Sequence, residues 1–301
     1  MEFRTFRFVA PSGYFYEIRE QNGADEDILS NPVDARTLMN LTKFISAIVV
    51  KTDFTAKGKL SVEDALALPV NDRYAIIIQS RIFSLGEEVS FEFDWGKEFG
   101  GKVMYGQDLH ELLFDDYSVS PSEEEVEKKP EAIPYYPMGK KLRDHQIFTS
   151  SGKELLFDCM TGESEKESIQ VEQTRNTPLI HRNLRLKVDD KYEKVLNFSL
   201  FSPRDMQEIR REVFAIDPIF QGNRNRKSEN RSNCKILYIR SSRFFLPDGR
   251  IDLEGDFAYI SRAEIRMDYL SFLVLPYRVR KRFLENAEAY FKLIEKKSKG
   301  K

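Results

Sequence analysis

The sequence predicts an α+β protein with a helix-rich N-terminal region that carries a small β element, an acidic linker, and a mixed α/β second region that ends in a helix. Hydrophobic residues make up 41% of the 301 residues and charged residues 32%, a balance typical of folded globular chains. Some segments place apolar residues three and four apart, as helices do, and others alternate them as strands do. We therefore predict regions at 1–114 and 141–301, joined by a linker at 115–140.

The chain is predicted to start with a β-hairpin. Aromatic and β-branched residues fill Phe3–Val9, Pro11-Ser12-Gly13 supplies turn residues, and Tyr14–Ile18 alternates. The acidic segment Ala24–Leu29 then favours a helix start, because carboxylates stabilise the positive end of the helix dipole.

Further helices and one strand complete the first region. Apolar residues at three- and four-residue spacing predict a helix over 38–48, and Ser61-Val62-Glu63-Asp64 has the pattern of a capping box. A helix over 71–85 is predicted to end at Gly86. Clean alternation over Val89–Trp95 predicts a strand, which Val103–Tyr105 would pair with after a turn.

The second region combines strands with two clear helices. Strands are predicted at 146–149, 154–159, 183–188, 195–201, 235–246 and 265–275, with a loop at 221–233. Ser202 as N-cap and Pro203 at the first helical position predict a helix that Asp217-Pro218 ends. A last helix follows Pro276.

The linker is the most acidic part of the chain. Asp115–Glu131 holds seven acidic residues, and only Lys128 and Lys129 oppose them. A solvated linker is the simpler interpretation, and an acidic docking tail for a basic partner is the alternative.

Composition and motifs exclude several function classes. Two cysteines and three histidines rule out a disulfide framework and a four-cysteine zinc site. No Gly-Lys pair is followed by Ser or Thr, as a phosphate-binding loop requires. The chain has no apolar run of membrane-spanning length and no signal-peptide pattern, so we expect no membrane association and a cytoplasmic setting.

Catalysis finds little support in the residue pattern, and we expect no enzyme, no cofactor and no metal site. A nucleophilic pair of Cys159 with a histidine such as His181 stays open, because such partners meet in space rather than in sequence. Packing as a small hydrophobic residue is the simpler interpretation of Cys159.

Two basic clusters carry the alternative function, nucleic-acid binding. Residues 224–243 hold seven Lys or Arg against one Glu, and residues 278–301 hold nine against three Glu. Such groups can neutralise phosphates, and a protein-docking surface is the competing interpretation. The candidate contact residues in the first cluster are Arg224, Arg226 and Arg231.

One stretch resembles a known protein family. It resembles baseplate and tail assembly proteins of contractile-tailed phages and related injection machines in the order of four segments. These are an acidic helix start at Gly23–Leu29, the segment Leu66–Arg73, a helix end at Ser84-Leu85-Gly86 and an alternating strand at Glu87–Phe93. The likeness covers roughly residues 20–220 and extends to Ser151–Phe157 and the helix after Ser202. Some relatives carry a Cys-x-x-Cys pair after the strand; residues 94–100 have no cysteine, so a metal site does not carry over.

The resemblance implies a non-enzymatic role as a baseplate hub component or as an assembly chaperone. Its partners would be other tail or baseplate proteins, in the host cytoplasm during assembly and, for a hub component, in the virion. For docking we single out Trp95 and Phe99, because aromatic residues are over-represented at binding hot spots. Completion of the local core by Trp95 is the alternative.

Overall fold

A three-stranded antiparallel sheet in the order β1-β2-β3 forms the N-terminal β element. The computed structural model describes residues 3–94, 102–109, 139–169, 177–217, 253–263, 265 and 267–299. The strands are β1 (Thr5–Val9), β2 (Phe15–Arg19) and β3 (Val49–Thr52). The predicted hairpin of β1 and β2 is confirmed, and Gly13 in its turn has a φ of +84°, which glycine adopts without steric penalty.

Five helices accompany this sheet, and side-chain caps mark where three of them begin. They are α1 (Gly23–Ser30), α2 (Pro32–Ala35), α3 (Met39–Ile48), α4 (Val62–Ala67) and α5 (Val70–Leu85). The capping box at Ser61 is confirmed, and a second one joins Asn22 to Asp25 at the start of α1. Asn22 therefore begins the first helix, three residues after β2 ends.

The central helix of the molecule is α5. Every side chain from Val70 to Arg81 is buried, so this helix is enclosed on all sides rather than on one apolar face. Gly86, at φ +96°, ends it as predicted, and its N–H donates to the carbonyl of Ile82 at 3.0 Å. A two-stranded hairpin follows, formed by β4 (Glu88–Asp94) and β5 (Lys102–Asp108). It confirms the predicted strand and its return partner.

A four-stranded antiparallel sheet organises the second region. Its strands lie in chain order as β6 (His145–Phe148), β7 (Glu154–Phe157), β8 (Arg185–Val188) and β9 (Lys191–Lys194). Two helices, α6 (Gly162–Ile169) and α7 (Thr177–Ile180), lie between β7 and β8. The inner face of the sheet shares a hydrophobic core with α8 (Pro203–Ile216), which starts at the predicted N-cap Ser202.

The C-terminal helices close over the first region. They are α9 (Leu253–Arg262), α10 (Tyr269–Leu273) and α11 (Tyr277–Lys299), and they share a core around Phe272. The N–H of Tyr277 donates to the carbonyl of Gln21 at 3.2 Å. A Cβ on Gly23 would lie 2.9 Å from the carbonyl oxygen of Leu273, so only glycine allows this approach of α1 to the C-terminal helices.

Two strand predictions are wrong. Over 195–201 the chain leaves the sheet and forms a 3₁₀ turn at Phe198–Leu200, because Asn197 caps this turn and the strand lies earlier, in β9. Over 265–275 it forms α10, which Asp268 caps by accepting a hydrogen bond from the N–H of Ser271 at 2.9 Å. A short apolar run fits a strand and a buried helix equally well. The loop predicted at 221–233 and the strand at 235–246 lie outside the described residues.

The α+β class is confirmed by these helices and antiparallel sheets. Contacts also cross the predicted boundaries, since the N–H of Val70 donates to the carbonyl of Met160 at 2.8 Å. The division into two regions and a linker stays a prediction. No helix within the described ranges has the length and hydropathy that a bilayer crossing requires.

Candidate functional site

The residues predicted to dock partners lie outside the described part of the chain. Trp95 and Phe99 follow the last described residue of β4, and Arg224, Arg226 and Arg231 lie beyond the end of α8. The structure therefore leaves these site predictions as they stand. Of the second basic cluster, residues 278–299 are described and belong to α11.

The first turn of α5 contains a fully buried carboxylate, Asp72. It accepts hydrogen bonds from the N–H of Ser12 at 3.0 Å and from the hydroxyl of Tyr16 at 2.8 Å, and the hydroxyl of Ser12 also donates to it. Burial outweighs these bonds and, together with the charge of Asp217, raises the pKa of Asp72 to about 6. The pKa of Tyr16 is raised as well, first by burial and then by the neighbouring carboxylate.

A second buried carboxylate, Asp217, ties α5 to the second region. It accepts bonds from the Nε of Arg182 at 2.8 Å, the N–H of Met160 at 2.9 Å and the amide of Asn71 at 3.1 Å. Arg182 and Asp217 are both almost completely buried. Each charge is therefore paired and hydrogen-bonded inside the protein, as buried charges require.

The third polar contact of α5 reaches α6. Glu165 accepts a hydrogen bond from the hydroxyl of Tyr74 at 2.6 Å and lies 3.6 Å from the Nε of Arg73. The guanidinium of Arg73 also donates to the carbonyl of Ala65 at 2.7 Å and to the hydroxyl of Thr42 at 3.0 Å. The polar atoms of Arg73, Tyr74 and Glu165 thus bind neighbouring helices of the protein itself rather than a ligand.

The structure pairs Cys159 with His145, not with His181. The Sγ of Cys159 lies 3.3 Å from the Nε2 of His145, and both side chains are buried. Burial raises the pKa of the thiol and lowers that of His145, so the neutral forms of both groups are favoured. A nucleophilic pair needs the opposite, a thiolate beside an imidazolium. His181 instead faces Glu167 at 3.9 Å, and burial lowers its pKa.

These buried groups have a structural rather than a catalytic geometry. A general acid or base must come within hydrogen-bond reach of a substrate, and the oxygens of Asp72 and Asp217 are engaged by the protein itself. The described residues also contain no group of three or more histidine, cysteine or acidic side chains suited to a metal ion.

The surface with the clearest binding character is the outer face of the four-stranded sheet, which we call the outer sheet face. It carries Phe148, Glu154, Leu156, Lys187 and Tyr192, on the side opposite the core. Phe148 is 64% exposed, although phenylalanine is ordinarily buried.

Glu154 organises the polar part of the outer sheet face. It receives hydrogen bonds from the ammonium of Lys187 at 3.0 Å and from the hydroxyl of Tyr192. An exposed aromatic ring beside a connected polar group is the arrangement that interface centres and rims show. Sequence alternation placed Phe148 in a strand without telling which face would be covered.

Comparison with family models, with curated proteins and with solved structures gives no match to this chain.

Proposed function

We propose that this protein is a non-enzymatic component of a contractile phage tail, and that it builds or chaperones the baseplate hub through protein–protein contacts. The observation that carries the proposal is the outer sheet face, where Phe148 stays exposed although the opposite face of β6 and β7 is packed against a hydrophobic core. Exposed aromatic residues surrounded by polar groups are typical of protein interfaces.

The arrangement of the buried polar groups supports a non-enzymatic role. The thiol of Cys159 is held in its neutral form, and the carboxylates of Asp72 and Asp217 are bound by internal donors. Asp217 joins the two regions through Asn71, Asp72 binds Ser12 and Tyr16 within the first region, and no substrate contact is needed to explain these bonds.

The element order supports the resemblance to baseplate proteins. The residues quoted for it fall in α1, at the α4–α5 junction, at the end of α5 and in β4. This order of elements is the one that the resemblance leads us to expect, and it is why we favour the phage tail as the setting.

The proposal is tested by capturing the tagged full-length chain from phage-infected cells and identifying the bound proteins by mass spectrometry. We expect tail or baseplate proteins, and we expect Phe148→Asp to reduce their recovery by about tenfold or more, as loss of a hot-spot aromatic does. Leu270→Asp is the matched control, because Leu270 is 73% exposed on α10, away from the sheet.

The same capture separates the hub from the chaperone role and tests the nucleic-acid alternative. Presence of the chain in purified particles would make it a hub component of the virion, and absence from them a cytoplasmic chaperone. A high ratio of absorbance at 260 nm to that at 280 nm, with no tail protein bound, would contradict the proposal and favour nucleic-acid binding through the basic clusters.

A further inference from the structure

A second surface with binding character lies where the end of α5 meets the start of α11. An open groove of about 310 Å³ is lined there by Leu85 from α5 and by Arg278, Lys281, Arg282 and Glu285 from α11. We call it the basic groove.

Beside the basic groove, the carboxylate of Glu20 pairs with two arginines, Arg4 and Arg278. The Oε1 atom of Glu20 lies 2.6 Å from the Nε of Arg4 and 3.4 Å from the Nε of Arg278. Burial alone would raise the pKa of Glu20, but the hydrogen bonds from the two arginines lower it, so the carboxylate is ionised. A single negative charge therefore faces two positive ones.

One turn further along α11, two more cations stand without a partner. Among the described residues, neither Lys281 nor Arg282 forms a hydrogen bond or an ion pair, and both are exposed. Glu285 is the only acidic side chain among those that line the groove. The groove thus keeps an excess of positive charge that the described structure does not neutralise.

We infer that the basic groove binds an acidic segment of a partner protein. This inference rests on the proposed assembly function, because it gives the chemistry of one partner. Carboxylates of such a segment would face Arg278, Lys281 and Arg282, while its aliphatic stems contact Leu85.

The charge pattern of α11 favours an acidic protein segment over a nucleic acid. A nucleic-acid strand needs a positive track along many phosphates. Beyond Arg282 the helix alternates in sign, with Glu285, Glu288 and Glu295 among the lysines, and Glu288 pairs with Lys292 at 2.6 Å. The continuous basic stretch spans about one helical turn, which suits a few carboxylates.

The test is direct binding of a fluorescein-labelled oligoglutamate peptide to the purified full-length chain, measured by fluorescence anisotropy. The double variant Lys281→Gln/Arg282→Gln removes the two unpaired cations, and Lys296→Gln/Lys297→Gln removes the same charge further along the same helix. We expect the first variant to weaken binding about tenfold and the second less than about twofold, with the effect falling as salt rises. All four residues are exposed, so neither variant should disturb folding.

Other outcomes would overturn the inference. Equal loss of affinity in both variants would show non-specific attraction, and absence of binding would show that the groove is not a site for acidic segments. Tighter binding of oligothymidine through Lys281 and Arg282 would assign the groove to nucleic acid. Peptide binding seen only after the acidic residues of 115–131 are replaced by amides would assign it to this chain's own segment.

This experiment separates the inference from the proposed function. Peptide binding uses no phage protein, so it can hold even where capture from infected cells recovers no tail component. Conversely, capture of baseplate proteins that the groove variant leaves unchanged would retain the assembly function and overturn the groove alone.

Discussion

Among the residues that the structure describes, the two longest helices are α5 and α11, and they differ in how much of their surface is covered. The 16-residue α5 is surrounded by protein, and its polar side chains bind carboxylates, carbonyls and hydroxyls inside the molecule. The 23-residue α11 packs one stripe against α9 and α10, and leaves Leu293 and Ile294 and most of its charges at the surface.

The contribution of a charged side chain to stability therefore depends on whether its helix is buried or exposed. On α5 the charges are desolvated, so each depends on a particular partner and removal of that partner is costly. On α11 most charges are solvated and screened, so individual pairs contribute little to stability and the charges remain free to meet another molecule. Four predictions test this difference, in order of expected size.

The largest effect is expected from breaking the buried pair that anchors α5 to the second region. Arg182→Met would leave the carboxylate of Asp217 buried without its charge partner, and we expect the free energy of unfolding to fall by about 3–5 kcal/mol. Arg204→Met is the control, because Arg204 is 79% exposed and pairs with Glu208 at the surface of α8. Equal effects in urea denaturation would contradict the distinction between buried and solvated charges.

The second prediction concerns the pH dependence that Asp72 confers. Its pKa is raised from 3.8 to about 6, so the folded protein holds this proton more tightly than the unfolded chain does. The stability that this proton confers is fully present below the ordinary pKa and is lost as the pH rises towards 6. From a pH well below 3.8 to one well above 6, the unfolding free energy of the wild type should fall by about 3 kcal/mol relative to that of Asp72→Asn.

Chemical denaturation at several pH values measures this difference. Asp72→Asn replaces one of the two acceptor oxygens by an amide nitrogen and cannot titrate. The hydrogen bonds that it loses do not depend on pH, so all other titrating groups cancel in the comparison. A difference that stays constant with pH would show that folding does not shift the pKa of Asp72 and would contradict this prediction.

The third prediction tests how closely α6 approaches α5. A Cβ on Gly162 would lie 2.6 Å from a nitrogen of the Arg73 guanidinium, which is itself held by buried partners. We expect Gly162→Ala to destabilise the fold by about 1–3 kcal/mol, since the contact can be relieved only by displacing those bonds. Gly106→Ala should be close to neutral in thermal unfolding, because no atom lies within 4 Å of its new Cβ.

The smallest expected effect uses one substitution on both helices. Ile77→Val removes a buried methylene from α5 and should cost about 1 kcal/mol. Ile294→Val removes the same group from α11, where the side chain is 46% exposed, and should change stability by less than about 0.5 kcal/mol. A comparable loss at Ile294 in urea titrations would mean that another surface covers this part of α11 in solution.

Local chemistry made several elements predictable. Ser61 and Ser202 cap helices, Gly86 ends one, and the turn at Gly13 closes a hairpin, because each depends on residues only a few positions apart. The failures at 195–201 and 265–275 are apolar runs too short to show a period, where surrounding structure decides between strand and helix.

The buried polar contacts of Asp217 with Arg182 and Asn71 were harder to predict from the sequence, although the position of Asp217 gave one indication. A carboxylate at the C-terminal end of a helix opposes the helix dipole, so Asp217 at the end of α8 indicates a compensating partner. Its partner Arg182 lies 35 residues away and Asn71 lies 146 residues away, and no spacing rule links them.

The sequence alone determined the α+β class, several helix starts and the hairpins β1–β2 and β4–β5, since these follow from neighbouring residues and from the period of apolar positions. Only the tertiary structure decided that α5 is enclosed, that Cys159 meets His145, and that Phe148 and the basic groove stay at the surface. Burial is a property of what packs around a residue, and the residues that pack together are distant in the chain.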